Sequence, residues 1–377
     1  MRKQFFLPVF LCGLMLLSAL ACRFLPFQKS DSPLLSPTPS SANTFFSATA
    51  PRASKTPPVA ALPLSPERFT ETPVPTVETL PTPQENLPLP AGGCPENSGK
   101  IVFSYDPRDA PSVGYGIYLM DSDGSHRLRL SAEDALTDSQ PAWSPEHCRI
   151  AFVRFNHEGS DDIFLMSADG GSVLQITRHP ARDTFPDWSP DGMQISFISD
   201  RDGSRNLFVM DVNGEHVRQL TDAQSLPRSE KGYVQWQQWS PDGEEIAFTY
   251  NAGDGQGTSI YLIRPDGSGL RKLASRAAEP VWSPDGSQIY FFSNLTGQVE
   301  IWRIRRDGSG LQQVSSLYPQ VNVDHSLRIS PDGAQLAFYG VGPEVAEYGT
   351  EIYVLNIDGS NLRSITLSQG QEEWLDW

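Results

Sequence analysis

The stretch Trp188-Ser189-Pro190-Asp191-Gly192-Met193-Gln194-Ile195-Ser196-Phe197 decides the fold, because the chain repeats it. Ser-Pro-Asp-Gly starts again at Ser240, Ser283 and Ser330, and Ser144-Pro145-Glu146-His147 is a degenerate copy. The residue ahead of the serine is Trp143, Trp188, Trp239 and Trp282, then Ile329. Successive spacings are 45, 51, 43 and 47 residues, and Trp377 follows Ile329 by 48. That period is the size of one four-stranded propeller blade.

Outward from the motif, each copy continues alike. A short apolar run comes first, such as Ile195-Ser196-Phe197 or Ile246-Ala247-Phe248. An alternating run follows, such as Leu207-Phe208-Val209-Met210 or Ile260-Tyr261-Leu262-Ile263. An Asp-Gly or Asn-Gly turn comes next, at Gly170, Gly214, Gly267, Gly308 and Gly359, and a fourth short run ends the unit. Runs of β-branched and aromatic residues between such turns read as antiparallel hairpins. Proline suits the second position of a type I turn, Asp the third, and Gly the left-handed exit. Ser-Pro-Asp-Gly is therefore the hairpin turn between the first and second strands. The tryptophan before it is large enough to fill the wedge between neighbouring blades. This makes Trp143, Trp188, Trp239, Trp282 and Trp377 structural repeat residues.

The first copy, from Ile101, lacks its opening strand, while Glu373–Trp377 is an opening strand with nothing after it. The expected fold is all-β: a six-bladed β-propeller over residues 93–377, with the C-terminal strand closing blade one. Closure of that kind removes exposed sheet edges. The pattern Trp-Ser-Pro-Asp-Gly-x-x-Ile-Ala-Phe, then Ile-Tyr-x-Met, Asp-Gly and Leu-Thr, resembles the propeller repeat of TolB and related periplasmic proteins. The resemblance covers nearly all of residues 100–377. It implies an extracytoplasmic β-propeller. TolB proteins carry an N-terminal α/β domain, and a different sequence precedes the repeats here.

That preceding sequence opens with Arg2 and Lys3 and an uncharged apolar run from Phe5 to Ala21, ending Ser18-Ala19-Leu20-Ala21-Cys22. Residues 1–21 read as a signal peptide. The junction resembles the bacterial lipoprotein signal, which implies that Cys22 is diacylated and becomes the mature N-terminus. An uncleaved helical anchor is the alternative, with the same location. Residues 22–92 read as a disordered tether: residues 23–92 contain 15 Pro and 17 Ser/Thr. Proline fixes φ and removes backbone donors, and scattered apolar residues cannot offset the ordering entropy. Extended, this segment reaches on the order of 200 Å.

The net charge is −16, and residues 93–377 carry 22 Lys/Arg against 40 Asp/Glu. Such a surface repels nucleic acid and anionic lipid heads. It favours a cation or a basic partner, or simply keeps an exported, monomeric propeller soluble. Five residues before the tryptophan position stand Asp138, Asp183, Asp324 and Glu372. Propeller symmetry gathers these starts of inner strands around one mouth of the central channel. They form a candidate binding ring for a cation, a Lys/Arg side chain or a basic peptide terminus. Alternatively, each caps backbone N–H groups in its own loop.

Other chemistry is sparse. There is no Gly-x-Ser-x-Gly elbow, although related propellers precede the hydrolase domain of prolyl oligopeptidase-like enzymes. Related propellers also include sugar-acid lyases with metal sites. No two of the six histidines stand at metal-ligand spacing within a motif, and they read as surface residues. Turns such as Asp121-Ser122-Asp123-Gly124 lack the further ligands of an EF-hand loop. No cofactor is expected, calcium in the central channel being the one candidate. Cys94 and Cys148 are expected to form a disulfide outside the cytoplasm. Closing about 55 residues contributes about 4 kcal/mol in the chain-entropy model. The leading function is a membrane-tethered, non-catalytic module that binds a protein, peptide or glycan at the cell envelope. The alternatives are a metal-dependent enzyme acting on polysaccharide or peptide, and a structural envelope scaffold.

Overall fold

The computed structural model describes residues 99–377 except 108–114, 133–136, 156–158, 224–225, 227–231, 256, 324, 343–349 and 367–369. The signal peptide, Cys22, the tether, Cys94 and Asp324 lie outside the described residues. The described strands form six antiparallel sheets with no helix among them. Blade three shows the plan: Asp183–Trp188, Gln194–Ser199, Asn206–Asp211 and Arg218–Gln219 pair in sequence order. The outermost strand is short in most blades, which leaves little unpaired edge. In blade six two short pieces, Asn322–Val323 and Arg328–Ile329, both pair with Gln335–Val341.

Ring closure follows the expected route. The C-terminal strand Gln371–Asp376 pairs with Lys100–Asp106, with Phe103 opposite Leu375 and Tyr105 opposite Glu372. Blade one is thus built from both ends of the propeller sequence.

The Ser-Pro-Asp-Gly turns have the geometry their residues dictate. Gly192 lies at φ 68°, and its N–H donates to Ser189 O at 2.9 Å. The Ser189 hydroxyl donates to Asp191 Oδ1 at 2.6 Å and accepts from Gln194 N at 2.9 Å. In the degenerate copy His147 takes the glycine position at φ 55°, a conformation that costs a non-glycine residue something.

Apolar residues collect between blades rather than within them. One cluster joins Ala142, Ala151, Ile163, Leu165 and Ile176 of blade two to Trp188, Ile195, Phe197, Phe208 and Met210 of blade three. Equivalent clusters fill each of the other five junctions. Trp143, Trp188, Trp239, Trp282 and Trp377 are all buried in them. Trp188 Nε1 also donates to Ala142 O in the previous blade at 3.1 Å. Blade-to-blade packing is therefore the core of this molecule.

Candidate functional site: the central channel

The inner strands carry a feature the repeat motif does not announce. Three residues before each tryptophan position, the backbone enters the left-handed region. The residues are Gln140, Phe185, Trp236, Glu279, Ser326 and Trp374, with φ of 54°, 54°, 44°, 55°, 66° and 51°. In blades one, two, three, four and five the strand pairing shifts register at this point, the mark of a β-bulge. Non-glycine residues pay about 1–3 kcal/mol for such a conformation unless the surroundings compensate.

A ring of hydrogen bonds supplies that compensation, crossing every blade junction once. Ser104 Oγ accepts from Gln140 N at 3.2 Å, and Gln140 Oε1 accepts from Phe185 N at 2.7 Å. Gln237 Nε2 donates to Phe185 O. Thr249 Oγ1 accepts from Glu279 N at 3.0 Å, and Glu279 Oε2 accepts from Ser326 N. Ser326 Oγ accepts from Leu375 N at 3.1 Å and closes the circle.

Residues of all six inner strands line one cavity of about 30 Å³ inside this ring. Aromatic rings pack against one another beside it. Phe185 meets Trp374 edge to face at 5.0 Å and Trp236 at 6.3 Å. The His325 ring packs tilted against Trp374 at 4.6 Å and lies 5.4 Å from Tyr339, so it departs from the expectation that the histidines are surface residues.

A second tier lies one residue before the tryptophan position. Asp376 Oδ2 accepts from Trp143 N at 2.8 Å, and Asp187 Oδ2 accepts from Trp239 N at 2.9 Å. Gln238 Oε1 accepts from Trp282 N at 2.7 Å, and Arg328 Nε donates to Asp376 Oδ1 at 3.0 Å. Burial pushes the Asp187 carboxyl up to about 7; the Trp239 amide opposes this, and the charge of Asp376 adds to it. Burial likewise raises Glu279, against the charge of His325 and the Ser326 amide.

The structure places Asp138, Asp183 and Glu372 at the inner-strand starts, buried and matched by arginines. Arg154 holds Asp138 through two bonds of 2.7 and 2.8 Å and lies over the rings of Phe152 and Phe164. Arg201 holds Asp183 at 2.8 and 2.9 Å and lies over Phe197 and Phe208. Arg127 reaches Glu372 at 3.0 Å from above Phe103 and Tyr105. Nearby, Asp162 accepts from Thr177 Oγ1 and Gln175 Nε2 within its own blade. Cys148 is buried beside the degenerate turn. Among the described residues no group of three or more His, Cys, Asp or Glu side chains is placed to hold a metal ion.

The left-handed ring escaped the sequence reading. Its signal is modest: proline follows Gln140, Phe185 and Glu279, and disfavours the ordinary helical conformation there. Aromatic residues at the same offset, Phe185, Trp236 and Trp374, are the other trace.

Six closed blades around a central channel define a β-propeller of the repeat type built on Trp-Ser-Pro-Asp-Gly. The chain belongs to the TolB beta propeller domain family, whose model matches residues 114–229 and 221–373. It is 34% identical over 156 residues to a protein TolB homolog of Chlorobium luteolum, covering 41% of this chain and 33% of that protein. It is 30% identical over 210 residues to the uncharacterized peptidase YuxL of Bacillus subtilis, covering 44% of this chain and 31% of that one. The chain thus spans about a third of the length of these curated relatives. In fold it is similar to the crystal structure of TolB from Acinetobacter baumannii, with a TM-score of 0.61 and 20% identity. That match covers 74% of this chain and 66% of the other.

Proposed function

We propose that the protein is a binding module of the cell envelope: a propeller that engages a protein ligand, or a peptide or glycan part of one, through its channel and loop face. The observation that carries this reading is the channel itself. Aromatic rings and engaged polar groups converge there from all six blades, on a frame with few exposed edges. Partly exposed Phe185, Trp236 and Trp374 supply stacking area at low entropic cost. Family membership and the similarity to TolB proteins agree with it.

The remaining parts of the reading concern how the module is displayed. Residues 1–21 export the chain, Cys22 carries the lipid that anchors it, and residues 22–92 hold the propeller away from the membrane. Two or more acyl chains suffice for stable anchoring, where one does not. A Cys94–Cys148 disulfide would pin the start of the propeller where the tether pulls on it. Asp138, Asp183, Asp324 and Glu372 would frame the mouth, with Arg154, Arg201 and Arg127 carrying three of those carboxylates' contacts.

The test is partner capture by the full chain in its native envelope, compared with a Trp374→Ala variant whose folding is checked by its thermal transition. A partner held by the wild type and lost by the folded variant supports the reading. Equal capture by both chains, or no specific partner, overturns it.

A further inference from the structure

We propose that the outer edge of blade four is a second docking surface, where an extended acidic segment of a partner protein adds a fifth strand. This edge is the far end of the sheet from the channel, so the proposal does not depend on how the channel is read.

Five blades end their sheets in the same way. The outermost strands Leu128–Arg129, Leu174–Gln175, Arg218–Gln219, Gln312–Gln313 and Arg363–Ser364 have two residues each. A side-chain hydroxyl then replaces the next bond of the ladder. Ile117 N donates to Ser131 Oγ at 3.0 Å. Ile163, Leu207, Ile301 and Ile352 donate in the same way to Thr177, Thr221, Ser315 and Thr366, each at 2.9 Å. With that donor satisfied, the chain is free to leave the sheet edge.

Blade four has Leu273-Ala274 where blade three has Leu220-Thr221. Alanine offers no hydroxyl. The Ala274 backbone stays in the ladder opposite Ile260 instead, and the outermost strand runs for five residues, Arg271–Ser275. It is the last strand of its sheet, and Lys272 and Ser275 on it are exposed. In an antiparallel edge strand, alternate residues turn their N–H and C=O groups to the open side. Such a row is a template for pairing with another chain.

Charge selects the guest. Arg271, Lys272 and Arg276 stand on this edge with no acidic residue among them, in a propeller of 22 basic and 40 acidic residues. Glu245 holds Arg271 at 3.0 Å. Lys272 and Arg276 are exposed, and neither has an ion pair among the described residues. A second copy of the same edge would set cations against cations, which is unfavourable across paired strands. An acidic segment gains where the copy loses. Main-chain bonds hold such a segment, and carboxylates beside Lys272 and Arg276 distinguish it from other extended chains.

The experiment titrates the full chain in detergent against a fluorescent peptide, acetyl-Thr-Glu-Val-Glu-Val-Glu-Thr-amide, and follows its anisotropy. Two controls accompany it. One has Lys in place of every Glu. The other keeps the charges but has all its central backbone nitrogens methylated, which removes the donors. Saturable binding of the acidic peptide is expected, with binding about tenfold weaker for the Lys peptide and for the methylated one. Ala274→Thr supplies the hydroxyl that Ile260 lacks and should shorten the edge, weakening the acidic peptide about tenfold. Lys272→Glu, at an exposed position, should weaken it about fivefold. Thermal transitions check that both variants are folded. No saturable binding of the acidic peptide overturns the proposal. So does equal binding of either control, or binding that survives both substitutions.

Discussion

Blades one to three and blades four and five fill the same slot in different ways. At the start of the inner strand, the first three bury Glu372, Asp138 and Asp183, each held by an arginine lying over an aromatic pair. Blade four has Val234 there, opposite Tyr250, whose hydroxyl donates to Ala223 O at 3.0 Å. Blade five has Ala277 opposite Ser293, whose hydroxyl donates to Arg276 O at 2.6 Å. Blades four and five keep their charges outside instead. Arg306 bridges Asp242, Glu244 and Glu245 across the junction of blades four and five, and Arg271 joins Glu245 within blade four. The fold therefore does not require charge in the inner slot. A buried ion pair gains little over a packed neutral pair, because desolvation consumes its Coulomb energy.

The sharpest way to break that comparison is to remove one member of a buried pair. Asp138→Val leaves Arg154 facing an apolar neighbour, at a cost of about 3–5 kcal/mol. Denaturant unfolding should show it as a large fall in midpoint. The pair Asp138→Val with Arg154→Tyr copies the register Val234–Tyr250 of blade four, because Asp138 stands opposite Arg154 in the same way. The double variant should recover most of the loss. A double variant as unstable as the single one would mean that the slot itself needs charge in this half.

The next test concerns Asp187, a charge of the first half that hands blade three to blade four. Burial pushes its carboxyl up to about 7 in the folded state, against 3.8 for a solvated aspartate. The folded state therefore keeps a proton that the unfolded chain has already released. Below 3.8 both forms are protonated and Asp187 contributes nothing to the pH dependence. As pH rises from 3.8 to 7 the folded state loses ground, and above 7 the whole penalty is present. Thermal midpoints should therefore fall between pH 5 and pH 8. Asp187→Asn keeps an acceptor for the Trp239 amide and should flatten that slope. An unchanged slope would place the titration elsewhere.

How much of this was legible beforehand follows from what repeats. The blades, their turns and the ring closure were readable because Ser-Pro-Asp-Gly fixes a turn by its own covalent chemistry, wherever it stands. The wedge role of Trp188 was readable because only one kind of place in a propeller accepts so large a ring. The left-handed ring was hard to read, since Gln140, Glu279 and Ser326 share no side-chain chemistry with the aromatic Phe185, Trp236 and Trp374. Their conformation is imposed by hydrogen bonds from neighbouring blades, and a pattern along one chain does not display bonds across it. For the same reason the carboxylates of Asp138 and Asp183 were visible while their partners were not. Arg154 and Arg201 occur at unequal offsets, 16 and 18 residues on.

The smallest expected effect belongs to the outer network of the second half. Arg306 touches three carboxylates, yet it lies at the surface together with exposed Glu244. Exposed pairs contribute about 0–1 kcal/mol each, and salt screens them. Part of the value here is local. Burial works against ionisation of Asp242, but the Ser240 hydroxyl and the Arg306 guanidinium outweigh it and hold the carboxyl down at about 2. The stability that this carboxylate supplies is present above its unfolded value of 3.8 and is lost as pH falls towards 2. Arg306→Ala should therefore cost about 1 kcal/mol at neutral pH and low salt, and less in high salt. The same salt series should leave the cost of Asp138→Val nearly unchanged, because the Asp138 pair is shielded from ions. If salt erased both costs alike, the buried and exposed halves would not differ in the way their burial requires.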